Sequence, residues 1–431
     1  MRIKDALPKP EVYFDPSGKC YYIRNERGNF IQVSEGNLKT SLKRTGFCGD
    51  TPRDKFLSEV DEVMDDVRKT RDVEYAGPLA GYPTGSYVIE NRRVLVTESP
   101  KFIEAEDGDF VVLRKLMTNL LKDEQLTYFF SWLKVAIAAL RAGKRRPGQV
   151  LVMAGPPACG KSLLQNLLTK MLGGRGAKPF QYMTGGTQFN SELFHAEHLM
   201  IEDEVASFDH KTRRTLGANL KAFVVNESQR CHPKNRPALT LLPFWRLSMT
   251  LNDEPEALMV MPLLDESVGD KMMIFRAYKE EMPMPTETLE QWSAFMQVLE
   301  QELPRLIHFV TKVWQIPEDL KCARYGVTHF HHPELLEMMN VLAPEMKLLE
   351  LIDLELWRES EVPSGVEMKA AELEVKLCGP SSKVAHEARK LALYNTAYGQ
   401  YLGRLERLKP DRISSRLLHG NKLWTIEPPE K

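Results

Sequence analysis

The chain has 431 residues, of which 43% are hydrophobic and 27% charged, a composition typical of globular proteins and not of disordered ones. Lys and Arg number 58 against 59 Asp and Glu, which excludes a uniformly basic, histone-like protein but not a local basic patch. The six cysteines form no C-x-x-C pair, and no apolar run approaches the roughly 18–20 residues of a membrane-spanning helix. The first residues also lack the apolar core of a secretory signal, so we expect a cytoplasmic protein without a zinc ribbon, a disulfide scaffold or a membrane partner.

The N-terminal residues predict a small α+β domain. Residues 11–33 alternate aromatic and β-branched residues with polar ones around two turn sequences, which predicts a β-meander or a pair of hairpins. We expect a short helix near 38–45 and helical spacing over 52–71. The Gly- and Pro-rich stretch 76–99 predicts a linker with a short strand at 93–97.

The pattern then changes from helical to alternating strand and helix. Apolar residues recur at helical spacing over 109–145, which predicts one or two helices forming a collar. The apolar run 149–154, a Gly-rich turn and a helical run over 162–172 open a parallel α/β unit, with further buried strands expected at 198–201 and 246–251. We therefore predict an α+β domain, a helical collar, an α/β domain, a helical segment and a C-terminal domain, in the ranges 1–90, 105–147, 148–285, 286–365 and 366–431.

The strongest motif lies between the first predicted strand and helix of the α/β domain. It matches G-x-x-x-x-G-K-[ST] and consists of Gly155, Pro156, Pro157, Ala158, Cys159, Gly160, Lys161 and Ser162. Backbone N–H groups of such a loop, with the positive end of the following helix, surround phosphate oxygens. Lys161 would then reach the β- and γ-phosphates, and the Ser162 hydroxyl would bind Mg²⁺. The motif predicts ATP and Mg²⁺ as cofactors.

Two later strands end in polar residues that suit ATP hydrolysis. Residues 199–204 form an apolar strand that ends in acids, where we assign Asp203 to Mg²⁺ and Glu204 to the attacking water. Glu202 leaves this assignment ambiguous by one position. The strand at 246–251 delivers Asn252, a candidate sensor that orients the attacking water. Alone, each cluster is more often a solvated strand end or a turn, but their order behind a phosphate-binding loop favours the functional interpretation.

With this spacing, the three motifs resemble those of superfamily 3 helicases within the AAA+ ATPases, and of the phage- and poxvirus-type primase-helicases in particular. The resemblance covers roughly residues 110–285. It implies an AAA+ P-loop core, a hexameric ring and movement on single-stranded DNA during replication of a phage, plasmid or mobile element. The N-terminal segment is short for a primase domain and has no fitting carboxylate set, so the resemblance stops at the helicase half. A primase or polymerase would be a separate partner.

The family also implies a DNA-contacting hairpin between the acidic strand and the sensor strand. Residues 220–241 read as a strand, a polar turn and a returning strand, with Arg230, His232, Lys234 and Arg236 as the candidate DNA-binding residues. Lys and Arg neutralise phosphate charge without reading sequence. The alternative is an exposed basic loop without a DNA-binding role.

One departure from the family pattern concerns the arginine that acts on the neighbouring subunit's nucleotide. Asp270 and Lys271 stand where the family has an Asp followed by arginine, and Arg276 comes five residues later. Lysine replaces the planar guanidinium poorly. The candidates are therefore Lys271, Arg276 and Arg246 on the sensor strand, the last of which could equally form a packed salt bridge.

The C-terminal domain reads as three helices followed by a hairpin, a winged-helix pattern. The helices are expected at 366–378, 381–393 and 395–408, and the hairpin at 413–426. Residues 381–431 contain ten Lys and Arg against five Asp and Glu, a surplus of +5 on a chain whose total is −1. That asymmetry favours contact with a polyanion, although many winged helices bind protein instead.

The leading hypothesis is thus an ATP-driven DNA helicase. A second is an AAA+ ATPase without helicase activity that remodels protein, in which the 230–236 loop has no DNA-binding role. A third is a DNA-binding replication initiator that uses the C-terminal domain. A small-molecule kinase is disfavoured because the acidic pair and the Asn sensor suit hydrolysis better than transfer. The histidines at 329–332 lack nearby partner ligands, so we expect no metal besides Mg²⁺.

Overall fold

The computed structural model describes residues 11–144, 146–202, 210–262, 264, 268–341, 343–357, 364–392 and 396–429. Residues up to Asp253 together with Val260–His332 form one compact unit, and Glu254–Met259 with Pro333–Lys431 form a second. The N-terminal strands and the α/β core therefore belong to the same unit. Within the described ranges, no helix combines the length and apolar character needed to cross a membrane.

The N-terminal segment is an antiparallel sheet with two packed helices. Its elements are β1 Val12–Asp15, β2 Cys20–Arg24, β3 Phe30–Val33, α1 Glu35–Arg44 and α2 Glu59–Thr70. The predicted meander is confirmed, and β2 pairs with both neighbours. Helix α2 begins later than its charge pattern predicted, because the Ser58 hydroxyl accepts a hydrogen bond from the backbone N–H of Asp61 and caps the helix there.

The stretch predicted as a linker is instead a second small sheet, so that part of the prediction was wrong. Its strands are β4 Tyr75–Gly77, β5 Gly85–Ile89 and β6 Arg92–Val96, in the order β4-β6-β5. Gly81, with φ of 82°, donates its N–H to the buried Glu197 carboxylate at 2.8 Å, and a Cβ there would lie 2.5 Å from Phe244. The glycine therefore serves close packing against the core and not flexibility.

The collar is a long helix with one break. Helix α3 Val111–Arg141 contains Lys122 at φ 58° and ψ 161°, outside the helical region. At the start of α3, the Glu302 carboxylate accepts a hydrogen bond from the backbone N–H of Leu113 at 2.7 Å. Past the break, the Gln125 side chain exchanges hydrogen bonds of 2.8 and 2.9 Å with the backbone of Arg276. The break thus places the collar against the central sheet.

The α/β core follows in the predicted order. Its elements are β7 Val150–Ala154, α4 Lys161–Met171, β8 Gly176–Ala177, α5 Phe180–Met183, β9 His198–Glu202, α6 His210–Val225, β10 Gln229–Cys231, β11 Leu239–Leu241, β12 Arg246–Leu251 and β13 Met272–Arg276. Between β12 and β13 the chain forms α7 Pro255–Leu258, which belongs to the second unit. Among the described residues, five of these strands form a parallel sheet in the order β13-β7-β12-β9-β8. Three of the strands, β7, β9 and β12, were predicted, and β8 and β13 were missed.

The rest of the chain is mostly helical, as predicted. It contains α8 Leu289–His308, α9 Pro333–Val341, α10 Pro344–Leu356, β14 Val366–Met368, α11 Ala370–Cys378, α12 Ala385–Leu391, α13 Ala397–Leu408, β15 Ile413–Leu418 and β16 Asn421–Ile426. The predicted C-terminal hairpin is β15–β16, and β14 joins it in the order β14-β16-β15. The stretch 366–378, predicted as one helix, therefore opens as a strand.

Candidate functional site

The phosphate-binding motif forms a tight loop between β7 and α4. Every residue of β7 is buried, and the loop turns through left-handed conformations at Ala158 (φ 56°) and Gly160 (φ 107°). Gly155 has no room for a side chain, since a Cβ would lie 2.1 Å from the carbonyl oxygen of Ala277. Its N–H donates to the Leu251 carbonyl at 3.2 Å, which fixes the start of the loop on β12.

Lys161 points into this loop and not toward solvent. Its Nζ donates to the carbonyl oxygens of Gly155 at 2.6 Å and Pro156 at 2.7 Å, and its side chain is 8% exposed. Cys159 Sγ lies 3.7 Å from the same ammonium group. Phosphate oxygens are stronger acceptors for an ammonium group than carbonyl oxygens are, so the loop, the lysine and the N-terminus of α4 fit a nucleotide phosphate.

The sheet brings the other predicted residues to the same edge. Ala154, at the end of β7, is in register with Leu251 and Arg276, and Thr250 is in register with Glu202. Asn252 follows β12 directly, so it lies beside the start of the phosphate-binding loop. In parallel sheets, ligands bind beyond the carboxyl ends of the strands where the strand order reverses, and β7 lies at that point.

The acidic residues of the site lie partly outside the described residues. Asp203 and Glu204 directly follow β9 in the sequence, but the structure describes only Glu202 of this cluster. The Glu202 carboxylate forms an ion pair with Lys178, which follows the edge strand β8. The metal-binding role predicted for Asp203 and the water-activating role predicted for Glu204 lie outside the described residues and stay predictions.

The three candidates for a group acting on a neighbouring subunit lie in different places. Lys271 stands at the opposite end of β13 from the loop, is 6% exposed and pairs with Asp270 at 2.6 Å. Arg246 is buried at the start of β12 over the Phe244 ring, and burial lowers the pKa of its guanidinium to about 9. Neither placement gives access to another molecule. Arg276 ends β13 in register with Ala154, so it lies at the same sheet edge as the loop over 155–162 of its own chain.

The predicted hairpin is present only in part, as β10 and β11, which pair antiparallel around the polar turn. Residues 220–225, predicted as the start of its first strand, instead end helix α6, so that part of the prediction was wrong. Asn190, which is buried, holds β10 from the side: its Nδ2 donates to the Arg230 carbonyl at 2.9 Å, and its Oδ1 accepts from the N–H of His232 at 2.7 Å. The His232 ring lies 5.3 Å from that of Phe189, a side chain the sequence analysis did not select. Arg230 and Lys234 are exposed. This hairpin therefore presents two basic side chains to solvent.

Arg236 differs from the other candidate DNA-binding residues. Its Nη1 lies 2.9 Å from Oδ2 of Asp15, whose side chain is only 2% exposed. The other carboxylate oxygen of Asp15 accepts from the N–H of Gly18 at 2.9 Å. The guanidinium thus fastens the hairpin to the N-terminal sheet, and this ion pair occupies the charge that was predicted to face DNA.

The C-terminal unit does not keep the positive surplus predicted for its tail. Residues 333–380 contain eleven Asp and Glu against four Lys and Arg, so residues 333–431 carry −2, and with Glu254 and Glu256 the unit carries −4. The bases of the tail pair with acids of the same unit, in Arg404–Glu345, Arg412–Asp353, Arg416–Glu367 and Lys422–Glu406. The surplus of the tail therefore does not extend to the folded unit as a whole, and contact of this unit with a polyanion stays a prediction.

Comparisons with known proteins agree with this fold. The family described as "Family of unknown function (DUF5906)" matches residues 153–267, the stretch from β7 past Asn252. No curated protein sequence is detectably similar to the chain. An apo structure of the NrS-1 C terminal region (305-718) covers 99% of this chain and 100% of its own, with a TM-score of 0.55 at 14% identity. An A form apo structure of the same region covers 98% and 96%, with a TM-score of 0.55 at 12% identity.

A structure titled "SCCmec type IV Cch - active helicase" covers 91% of this chain and 69% of that chain at 10% identity. The two structures superpose with a TM-score of only 0.32. The chain therefore has a mixed α/β fold similar to that of the NrS-1 C terminal region over nearly its whole length.

Proposed function

We propose that the chain is an ATP-dependent DNA translocase and helicase of the superfamily 3 type, acting as a ring, with six subunits, in the replication of a phage, plasmid or mobile element. The observation that carries the proposal is the shared sheet edge. The loop of Gly155 and Lys161, the end of β9 and Asn252 lie side by side there, and the same compact unit presents a basic hairpin.

Each residue at this edge has a defined task in hydrolysis. Lys161 would exchange its carbonyl partners for β- and γ-phosphate oxygens, and the Ser162 hydroxyl and Asp203 would hold Mg²⁺, which would supply positive charge to the phosphates. Glu204 accepts a proton from the attacking water, and Asn252 orients that water. Preorganised groups at a dry site are effective because they need no rearrangement during reaction.

The hairpin supplies the contact with DNA. Arg230 and Lys234 neutralise phosphates without reading sequence, and His232 can donate to a phosphate from its place beside Phe189. Single strands suit such a surface because their bases are free to stack on an exposed aromatic ring. Phe189 is 42% exposed and fits that requirement.

The test is ATP hydrolysis with and without single-stranded DNA. We expect wild-type protein to hydrolyse ATP faster with DNA and Lys161→Ala to lose hydrolysis altogether. Lys234→Glu should keep basal hydrolysis and lose DNA stimulation. A matched control is Lys115→Glu, because Lys115 is an exposed lysine on α3. Hydrolysis that ignores DNA in the wild type would overturn the helicase proposal and favour a protein-remodelling ATPase.

A further inference from the structure

A set of polar side chains lies buried between helix α4 and the sheet, in a region otherwise filled by Leu and Met. Gln165 is fully buried, and its Nε2 donates to Ser248 Oγ at 2.8 Å. Ser248 Oγ lies 2.8 Å from His198 Nε2, and His198 Nδ1 lies 2.7 Å from Thr169 Oγ1. Thr169 Oγ1 in turn lies 3.3 Å from the carbonyl oxygen of Gln165. We call this set the polar ring.

The hydrogen bonds of the polar ring run in one direction when His198 carries its proton on Nδ1. The Gln165 amide then donates to Ser248, Ser248 to His198, His198 to Thr169, and Thr169 back to the Gln165 backbone. The ring requires a neutral imidazole, and burial lowers the pKa of His198 to about 3. Every member therefore has a donor in use, whereas Oε1 of Gln165 is buried without a hydrogen-bond partner among the described residues.

The polar ring joins the elements that carry the candidate catalytic residues. Gln165 and Thr169 lie on α4, one and two turns after Lys161. His198 begins β9, which leads to Asp203 and Glu204, and Ser248 lies on β12 four residues before Asn252. The Gln165 amide also lies 3.3 Å from the carbonyl oxygens of Ile201 and Ser248, so one side chain bridges both strands.

Hydrogen bonds fix this arrangement in a way that apolar contacts do not. Apolar burial is non-directional, so a purely apolar interface would let α4 slide slightly along the strands at little cost. Hydrogen bonds weaken steeply once distance and angle depart from their optimum. Because α4 starts at Lys161, its position relative to β9 and β12 sets where a phosphate lies relative to the acids and Asn252.

We propose that Gln165 is a positioning residue for ATP hydrolysis, which aligns the phosphate-binding helix with the two strands that carry the acidic residues and the sensor. This inference rests on the proposed ATPase function. It predicts that loss of the Gln165 amide slows the chemical step and leaves nucleotide binding intact, because the phosphate-binding loop itself keeps all its residues. Misplacement by about 1 Å can cost on the order of a hundredfold in rate.

The experiment compares Gln165→Leu, Ser248→Ala and the double variant with wild type. A matched control is Leu167→Met, a volume-conserving change on the same buried helix. For each protein, kcat and KM for ATP are measured, with the Kd of a fluorescent ADP analogue and the thermal midpoint. We expect kcat to fall at least tenfold in Gln165→Leu, with KM and Kd within about twofold of wild type, and the control to behave as wild type. The double variant should have a kcat only slightly lower than that of either single variant, since both substitutions remove the hydrogen bond between the Gln165 amide and Ser248 Oγ.

Unchanged kcat in Gln165→Leu, with or without a lower thermal midpoint, would overturn the positioning role and leave a structural one. Should Gln165→Leu fail to fold, Ser248→Ala removes the shortest hydrogen bond of the Gln165 amide, at 2.8 Å, from the strand side and decides by the same criteria. If wild type hydrolyses no ATP, the proposed function itself fails. If wild type hydrolyses ATP and both single variants match it, only the present inference fails.

Discussion

Arg236 and Lys234, the two basic residues of the hairpin turn, are predicted to have separable roles: Arg236 stabilises the fold and Lys234 binds DNA. In Arg236→Gln, the carboxylate of Asp15 loses the cation that pairs with it. The Asp15 side chain is only 2% exposed, so water does not replace that cation. Removing one partner of a fully buried pair costs about 3–5 kcal/mol, and an exposed pair contributes about 0–1 kcal/mol. Arg236 is 37% exposed, which places this pair between those limits. We expect the variant to lose about 1–3 kcal/mol of local stability.

The assay is hydrogen–deuterium exchange of peptides covering 11–24 and 229–241, the two segments that the ion pair joins. A loss of about 1–3 kcal/mol corresponds to roughly 5- to 150-fold faster exchange. Lys234→Gln should leave this exchange unchanged and weaken binding to single-stranded DNA, with the salt dependence reduced by about one charge. Asp15→Asn in the Arg236→Gln background should recover part of the loss, because no unpaired carboxylate then remains.

The opposite pattern would refute the reasoning. If Arg236→Gln leaves exchange in both segments as in wild type and reduces DNA binding as much as Lys234→Gln, the guanidinium serves DNA and the ion pair contributes nothing. Equal exchange in the single and double variants would likewise show that Asp15 and Arg236 are not coupled.

Three further outcomes follow from the structure. Gly155→Ala should abolish nucleotide binding in a fluorescent-ADP titration, because a Cβ would lie 2.1 Å from the carbonyl of Ala277, and normal affinity would contradict the loop geometry. Folding keeps His198 neutral with a pKa of about 3, against 6.5 when unfolded, so the unfolded chain binds more protons between those values. Stability should therefore fall as pH drops through that window, by roughly 4–5 kcal/mol at most, and urea midpoints should fall less steeply in His198→Gln. Ellman's reagent should label the exposed Cys48 at once. Burial raises the pKa of the Cys231 thiol to about 12, so this thiol should react only on unfolding. Rapid reaction of both thiols in the folded protein would contradict the packing of β10.

Sequence patterns predicted the parts of the site that local geometry determines. The loop over 155–162 carries its own turn and helix start in its glycines, so the motif and the flanking elements were located to within one or two residues. Strands β9 and β12 were visible as short apolar runs that end in polar residues. Strand β13 was missed although Met272–Arg276 is equally apolar, because a run of so few apolar residues does not by itself distinguish a strand from a buried helix segment.

The remaining features depend on partners far apart in the chain. Arg236 and Asp15 are separated by 221 residues, and nothing local to the turn indicates that its arginine faces inward. Gln165 reads as an ordinary polar residue of an amphipathic helix, yet its partner Ser248 lies 83 residues away. Hydrophobic periodicity assigns polar residues to the surface, so it cannot find a buried polar network. The positive charge counted over 381–431 was misleading for a similar reason. Acids that pair with the bases of this tail, such as Glu345 and Asp353, come earlier in the chain but belong to the same folded unit.

The contact between Gly81 and Glu197 bears on how this protein can be rearranged by recombination. Glu197 is completely buried, and its carboxylate relies on the N–H of Gly81 as well as on Arg175. The carbonyl of Ala80 accepts from the N–H of Phe244, just before β12. An α/β core transplanted onto a foreign N-terminal segment would leave that carboxylate short of a donor. The stretch around residues 79–82 should therefore be inherited together with the core, whatever replaces the strands that precede it.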